Sequence, residues 1–353
     1  MIASVRWAGD AVRIVDQTRL PEEVRELDLR TLDEVAEAIR SLRVRGAPLI
    51  GITAAMGLAA SLRRYVDEDP KRFRARLEEH AAALRRTRPT AVNLGWALDR
   101  MRRAAGSYPE SSSAELGSLL RAEADAILEE DRRLCERMGE AGLELLPDPA
   151  VVLTHCNTGV LATGGIGTAL APIYRAARSG RRVRVIVPET RPLLQGSRLT
   201  AWELSQAGIE ATVIADNAAA AAMKRLDVDL VIVGADRVTA RGDVANKIGT
   251  YGLAVAARHH GLPFYVAAPY SSFDFSIRSG DEVPIEERSP DEIRLGFGRR
   301  TAPEEVPVFS PAFDVTPAEL VTAFVTDRGV LRPPYEESLR ALRRSPAAAR
   351  AGS

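Results

Sequence analysis

The chain has 353 residues, and its 48 basic and 48 acidic side chains give a formal net charge of zero. This length exceeds one ordinary hydrophobic core, so we expect two domains. The balanced charge provides no overall field that would draw the protein onto nucleic acid or an anionic membrane. Two cysteines are too few for a disulfide framework, and no run approaches the roughly 18 apolar residues of a membrane span. We therefore expect a cytoplasmic protein with neither nucleic-acid nor membrane partners.

The first part of the chain predicts a mainly helical domain with a small sheet. Alternating residues at 4–7 and 11–15, separated by a turn, predict a β-hairpin. Thr31 and Glu34 have the spacing of a capping box, which predicts a helix that runs to about Arg43. Helical periodicity continues in a buried small-residue helix and three longer segments, at 49–62, 71–86, 92–104 and 111–145.

From residue 151 the pattern changes to short β-branched runs between helical segments, which is typical of a parallel sheet with crossover helices. The predicted strands are 151–153, 183–187, 211–214, 230–233 and 264–267. A second capping box at Thr316 predicts a late helix over 317–325. The predicted fold class is α/β, with a mainly helical N-terminal domain (1–124) that carries a small antiparallel sheet. A Rossmann-like parallel-sheet domain (125–343) and a disordered tail (344–353) follow.

Cys156 follows the apolar run 151–153, at the carboxyl end of a predicted buried strand. Open α/β sheets bind ligands at such strand ends. A free cysteine is often only a small buried apolar residue, but this position favours a role in a site. His155 is adjacent, and neighbouring side chains on a strand point to opposite faces, which weakens a cysteine–histidine hydrolase interpretation.

Asp236 follows the second strong apolar run, 229–235. Turn and helix-capping roles are the commonest for an aspartate in such a place. Alternatively, apolar surroundings would raise the pKa of this carboxyl and make it a proton donor near neutral pH. We expect it to lie near the same cleft as Cys156.

The glycine cluster at Gly164, Gly165 and Gly167 resembles a dinucleotide fingerprint only weakly, because it begins about ten residues after the strand. We expect these glycines to allow close backbone packing, with free amides near an anion. The four histidines show no metal-ligand spacing, so no metal site is predicted. Several basic and amide residues stand beside glycines, helix interruptions and strand ends, and together they predict one phosphate site: Arg45, Gly46, Ala47, Arg88, Gln195, Asn246 and Lys247.

Six long segments in order resemble the motif series of the methylthioribose-1-phosphate isomerase family, over about residues 1–340. They read RGAPLIGITAAMGLA, RPTAVNLGWAL, THCNTGVLATGGIGTAL, PETRPLLQGSRLTAWEL, VGADRVTARGDVANKIGTY and PAFDVTPAEL. The superfamily also contains ribose-1,5-bisphosphate isomerases and non-catalytic regulatory subunits of the eukaryotic translation initiation factor 2B exchange factor. The segment around 293–301 fits the family less well.

The resemblance implies an aldose–ketose isomerase of methionine salvage that converts 5-methylthioribose 1-phosphate to 5-methylthioribulose 1-phosphate. It implies that Cys156 assists the transition state and that Asp236 is the proton donor. It also implies that the seven residues of the predicted phosphate site bind the substrate. It also implies a homodimer and no cofactor. The sequence leaves open an enediol route or a hydride shift. It also leaves open ribose 1,5-bisphosphate or 5-deoxyribose 1-phosphate as the substrate, and a non-catalytic regulatory subunit as a different class of protein.

Overall fold

The computed structural model describes residues 2–89, 91–296 and 298–344. Packing divides the chain into two compact units. The first unit contains residues 1–134 and 159–167, and the second contains residues 135–158 and 168–353. The expected α/β class is confirmed, with a helical N-terminal region, a small antiparallel sheet and a large, mostly parallel sheet. The domain limits 1–124 and 125–343 stay a prediction, and the predicted disordered tail lies outside the described residues beyond Arg344.

The first unit combines a three-stranded antiparallel sheet with helices. Its strands are β1 (Val5–Ala8), β2 (Ala11–Val15) and β3 (Glu26–Leu29), and its helices are α1 (Leu32–Arg40), α2 (Ala47–Leu62), α3 (Pro70–Arg85) and α4 (Val92–Gly106). Helix α5 (Ser113–Leu143) contains the division between the units. The predicted hairpin is confirmed as the pair β1 and β2.

Helix α1 has the capping box predicted at its start. The Thr31 side chain accepts from the Glu34 N–H, and the Glu34 carboxylate accepts from the Thr31 N–H. The helix ends at Arg40, three residues before the predicted end, because Leu42 takes a left-handed conformation with φ of 56°. Helix α2 is buried along nearly its whole length, as its run of small and apolar residues predicts.

In the second unit, the described residues form three β-sheets and the remaining helices. Its strands are β4 (Ala150–Leu153), β5 (Val183–Pro188), β6 (Glu210–Ile214), β7 (Leu230–Val233), β8 (Arg237–Thr239), β9 (Val244–Lys247), β10 (Phe264–Ala267), β11 (Phe273–Asp274), β12 (Leu295–Gly296), β13 (Arg299–Arg300), β14 (Phe313–Thr316), β15 (Ala323–Thr326) and β16 (Gly329–Leu331). Its helices are α6 (Ala171–Arg178), α7 (Ala201–Gln206), α8 (Ala219–Arg225), α9 (Thr250–His260), α10 (Asp291–Arg294) and α11 (Tyr335–Arg344).

The main sheet has the strand order β16-β15-β10-β7-β4-β5-β6, and only β16 runs antiparallel to its neighbour. The chain starts at β4, adds β5 and β6 on one side, and then crosses to β7 on the other. The order therefore reverses between β4 and β7. Ligands of open α/β sheets bind in the crevice at the carboxyl ends of the strands where this reversal occurs. All five predicted strands of this sheet are found.

The helix predicted over 317–325 is wrong. Thr316 ends strand β14, a short turn of 3₁₀-helix covers Ala318–Leu320, and strand β15 begins at Ala323. The capping-box spacing is present in the sequence, but the residues that follow are the β-branched and aromatic side chains of a buried strand. Pairing with β10 in the sheet core overrides the local helix signal.

Candidate active site

Cys156 and Asp236 follow the two central strands between which the strand order reverses. Cys156 lies three residues after β4, and Asp236 lies three residues after β7. These strands are hydrogen-bonded neighbours, with Leu153 in register with Val231. The two residues therefore belong to loops at the same edge of the sheet, which is the position predicted for a ligand crevice.

Cys156 is buried and has a left-handed backbone conformation, with φ of 58°. Such a φ is uncommon for a residue other than glycine. Two threonines hold its backbone. The Cys156 N–H donates to Thr190 Oγ1 at 3.0 Å, and Thr200 Oγ1 donates to the Cys156 carbonyl oxygen at 2.6 Å. The loop that carries the thiol is therefore fixed on both sides of Cys156.

The amide of Asn157 extends this network. Its Nδ2 donates to Thr200 Oγ1 at 3.1 Å and to the buried carboxylate of Glu203 at 2.7 Å. Thr190, Thr200 and Glu203 were not among the predicted site residues. A signal for Thr190 was present, because it stands two residues after the carboxyl end of β5, inside the PETRP motif.

His155 is buried, and its Nε2 donates to the carbonyl oxygen of Ile248 at 2.9 Å. Burial lowers the pKa of this imidazole, so the ring is neutral. His155 and Cys156 do not occupy opposite faces of a strand, because β4 already ends at Leu153. The hydrogen bond gives His155 a positioning contact with the loop after Lys247.

The surroundings predicted for Asp236 differ from those observed. The residue is exposed, so the apolar environment expected to raise the pKa of its carboxyl is not found in the described chain. Its N–H donates to the carbonyl oxygen of Ala245 at 3.0 Å, which joins the loop to strand β9. Strand β7 ends at Val233, and Asp236 lies in the short loop between β7 and β8.

Gln195 is buried, and its Oε1 has no hydrogen-bond partner among the described residues. Buried polar atoms in proteins are nearly always satisfied, so this acceptor suits a ligand donor. The following residue must be glycine, because a Cβ atom on Gly196 would lie 1.8 Å from the carbonyl oxygen of Pro188. The turn that carries Gln195 therefore packs directly on the end of β5.

Asn246 and Lys247 end strand β9, and helix α9 begins at Thr250. The Asn246 amide donates to Thr250 Oγ1 at 3.0 Å, while the Lys247 ammonium lies 5.0 Å from the centre of the Phe313 ring. Asp314 caps α9 by accepting from the N–H groups of Gly249 and Tyr251 at 2.8 and 3.1 Å. Burial raises the pKa of Asp314 to about 6.

Four predicted residues lie in the first unit. Arg45, Gly46 and Ala47 lead directly into α2, and the Arg45 Nε donates to Gln17 Oε1 at 3.0 Å. Arg88 is half-buried between α3 and α4. Gly46 has φ of 91°, and a Cβ atom there would lie 2.7 Å from the Cα of Ala162. The segment therefore depends on close backbone contact with the glycine-rich stretch 159–167.

The amides of the glycine cluster have protein acceptors, so the expectation of free amides is wrong. The Gly164 N–H donates to Asp131 Oδ2 at 2.7 Å. The N–H groups of Gly165 and Gly167 donate to Thr163 Oγ1 at 3.3 and 3.1 Å. All three hydrogen bonds lie within the first unit. Close packing is found at Gly164, where a Cβ atom would lie 2.5 Å from Leu128 Cδ1, but this neighbour is a side chain and not backbone.

The described residues were compared with the requirements of a metal site and of a membrane-spanning helix. They contain no group of three or more histidine, cysteine or acidic side chains placed to hold a metal ion. None of their helices combines the length and the apolar character needed to cross a membrane.

Comparison with known proteins places the whole chain in one family. Residues 43–333 match the model of the initiation factor 2 subunit family. The chain is 55% identical to the methylthioribose-1-phosphate isomerase of Heliobacterium modesticaldum, over 96% of this chain and 98% of the relative. It is 53% identical to the 5-deoxyribose 1-phosphate isomerase of Moorella thermoacetica, over 96% of each chain.

Solved structures agree with this placement. The 5-methylthioribose 1-phosphate isomerase of Pyrococcus horikoshii OT3 superimposes with a TM-score of 0.90 at 45% identity, covering 97% of this chain and 96% of the other. A chain described as translation initiation factor eIF-2B subunit delta from A. fulgidus has the same TM-score at 44% identity, covering 98% and 100%. The protein belongs to the initiation factor 2 subunit family, together with these sugar-phosphate isomerases.

Proposed function

We propose that the protein is an aldose–ketose isomerase that converts 5-methylthioribose 1-phosphate to 5-methylthioribulose 1-phosphate in methionine salvage. The observation that carries this proposal is the placement of Cys156 and Asp236 after adjacent strands where the strand order reverses. The isomerases of Heliobacterium modesticaldum and Moorella thermoacetica, named for this activity and for the deoxyribose reaction, are 55% and 53% identical over nearly the whole chain.

The substrate poses a specific chemical problem. Its C1 oxygen carries the phosphate, so the sugar ring cannot open through a free hemiacetal, and a proton must reach the ring oxygen as the C1–O bond breaks. We assign this proton donation to Asp236. The carboxyl is exposed in the chain without ligand. Bound substrate would remove water from it, and desolvation favours the protonated form that the donor needs.

Hydrogen must then move from C2 to C1, and we assign Cys156 to this step. In one route the Cys156 thiolate removes the C2 proton to form an enediol, which is reprotonated at C1. In the other, hydride shifts directly from C2 to C1 while the thiolate stabilises the positive charge that develops at C2. In both routes the C2 hydroxyl loses its proton as the ketone forms, which balances the proton given to the ring oxygen. Solvent deuterium at C1 of the product supports the enediol route, and its absence supports the hydride shift.

The remaining predicted residues are proposed to bind the substrate. In the second unit these are Gln195, with its unpartnered Oε1, and the neighbouring Asn246 and Lys247 at the end of β9. In the first unit they are Arg45, Gly46, Ala47 and Arg88. Guanidinium and ammonium groups suit a phosphate, and holding the phosphate keeps C1 and C2 in register with the reacting groups. The proposal requires neither a metal nor an organic cofactor.

A homodimer and a cytoplasmic location are also proposed, the dimer from the family resemblance and the location from a cysteine content too low for a disulfide framework. The alternative function, from a different class of protein, is that of a non-catalytic regulatory subunit. The isomerases named above argue against that role, whereas the A. fulgidus chain shares the fold under a translation-factor description.

The decisive experiment is a turnover assay with three sugar phosphates side by side. 5-Methylthioribose 1-phosphate and 5-deoxyribose 1-phosphate differ only by the sulfur and methyl group, while ribose 1,5-bisphosphate carries a second phosphate at that end. The proposal predicts the highest kcat/KM with the methylthio sugar. A higher kcat/KM with the deoxy sugar or the bisphosphate would identify that sugar phosphate as the substrate instead. If none of the three is turned over, the isomerase proposal is rejected.

A further inference from the structure

The loops after three successive strands of the main sheet are linked by hydrogen bonds through Thr190. Cys156 follows β4, Thr190 follows β5, and Asp216 follows β6. The Cys156 N–H donates to Thr190 Oγ1 at 3.0 Å. The N–H groups of Thr190 and Arg191 donate to the two carboxylate oxygens of Asp216, at 2.7 and 2.6 Å. Thr190 is the middle member of this series.

This region concentrates unusual backbone conformation. Three of the five non-glycine residues at positive φ in the described chain lie here: Cys156 at 58°, Thr190 at 64° and Leu194 at 58°. A left-handed conformation is especially unfavourable for a β-branched residue such as threonine. Such conformations persist only where surrounding contacts impose them, and they cluster at functional sites. The Asp216 carboxylate supplies that constraint at Thr190.

The Thr190 hydroxyl is fully used. It accepts from the Cys156 N–H and donates to the carbonyl oxygen of Pro188 at 3.1 Å, so its orientation is fixed by the strand end. The Thr190 carbonyl oxygen accepts from the Leu194 N–H at 2.8 Å, which closes the turn that leads to Gln195. One residue therefore connects the thiol loop to the turn that carries a proposed substrate ligand.

We infer that Thr190 is a positioning residue for Cys156, acting through its hydroxyl and held in place by Asp216. The inference rests on the proposed function for its kinetic consequence, since it assumes that Cys156 takes part in hydrogen transfer. Loss of the hydroxyl leaves the Cys156 N–H and the Pro188 carbonyl without this partner. The left-handed conformation at Cys156 then loses one of its two threonine contacts, and the thiol shifts relative to the sugar carbons.

The test compares Thr190→Val with Thr190→Ser. Valine keeps the β-branched shape and removes the hydroxyl, whereas serine keeps the hydroxyl and removes the methyl group. Thr316→Val is the matched control, because Thr316 is also buried in the second unit and its Oγ1 has no hydrogen-bond partner among the described residues. Each variant is measured for kcat, KM and the pH profile of Cys156 alkylation by iodoacetamide. Peptide mass separates Cys156 from Cys135.

We expect Thr190→Val to lower kcat about 100-fold, the loss typical of a displaced reacting group, with KM changed less than about threefold. Its alkylation profile should shift from that of the wild type. Thr190→Ser and Thr316→Val should keep both the kcat and the profile of the wild type to within about threefold.

Two outcomes would overturn the inference. One is a Thr190→Val enzyme whose kcat and alkylation profile match those of Thr316→Val. The other is an equal loss of kcat in Thr190→Ser and Thr190→Val, which would show that the hydroxyl is not what matters. The alkylation measurement needs no substrate. It therefore still decides whether Thr190 controls the thiol if the wild-type enzyme turns over none of the three sugar phosphates.

Discussion

The motif THCNTGVLATGGIG is continuous in sequence, yet its two halves belong to different units and make different kinds of contact. Residues 154–158 belong to the second unit, where side chains hydrogen-bond around a left-handed Cys156. Residues 159–167 belong to the first unit, where the backbone packs against Gly46 and the glycine amides bond within the unit. Changes in the first half should therefore affect chemistry, and changes that disturb the second half should affect stability.

Apart from the loss expected on replacing Cys156 itself, the largest effect is expected at Asp236, in the loop after the neighbouring strand β7. Asp236→Asn removes the proposed proton donor but keeps its size. We expect kcat to fall by about 10²–10⁴, the usual contribution of general acid catalysis, while substrate still binds. Asp281→Asn changes an exposed aspartate of the same unit and should leave kcat unchanged. Steady-state kinetics and calorimetric binding measure the two quantities, and near-normal turnover of Asp236→Asn would remove Asp236 from the mechanism.

The second effect tests the packing side. Gly46→Ala places a Cβ atom 2.7 Å from the Ala162 backbone at a φ of 91°, so we expect it to reduce the free energy of unfolding by about 3 kcal/mol. Gly9→Ala is the matched control, since Gly9 also has positive φ but nothing lies within 4 Å of its Cβ position. That variant should lose only about 1 kcal/mol. Urea unfolding measures both, and equal losses would show that close packing at Ala162 is unimportant.

The smallest expected effect concerns the cap of helix α9. The pKa of Asp314 is raised to about 6 in the folded chain, from 3.8, because burial penalises its charge. The folded state therefore holds this proton more tightly than the unfolded state. Its contribution to stability is present below about pH 4 and is lost as the pH rises through 6.

Partial exposure reduces this contribution to about 1–2 kcal/mol. Asp314→Asn should remove it, so the difference in unfolding free energy between the variant and the wild type should change between pH 4 and 6.5. A difference that is constant over this range would contradict the assignment. Urea unfolding at several pH values provides the measurement.

Much of the fold could be predicted because the local patterns agree with the tertiary structure. The strands 230–233 and 264–267 occur with the predicted bounds, since short apolar runs between turns suit buried parallel strands. The capping box at Thr31 marks a real helix, whereas the same spacing at Thr316 does not. The difference lies in sheet pairing with a distant strand, which local spacing cannot reveal.

The site could be predicted only in part. Cys156 and Asp236 follow apolar runs, so the sequence located them at strand ends. It could not show that β4 and β7 are neighbours, because that depends on the order of the whole sheet. It also could not show the exposure of Asp236, nor the contacts of Cys156 with two threonines that lie 34 and 44 residues further along the chain.

The most direct test of the account is the turnover of 5-methylthioribose 1-phosphate by Cys156→Ser, with Cys135→Ser as its matched control. Both cysteines are buried and belong to the same unit, but Cys135 lies within helix α5, whereas Cys156 lies in the loop after β4. We expect Cys135→Ser to keep the wild-type kcat, and Cys156→Ser to bind the substrate but to lose measurable isomerisation. Near-normal kcat in Cys156→Ser would contradict the central claim that this thiol takes part in hydrogen transfer.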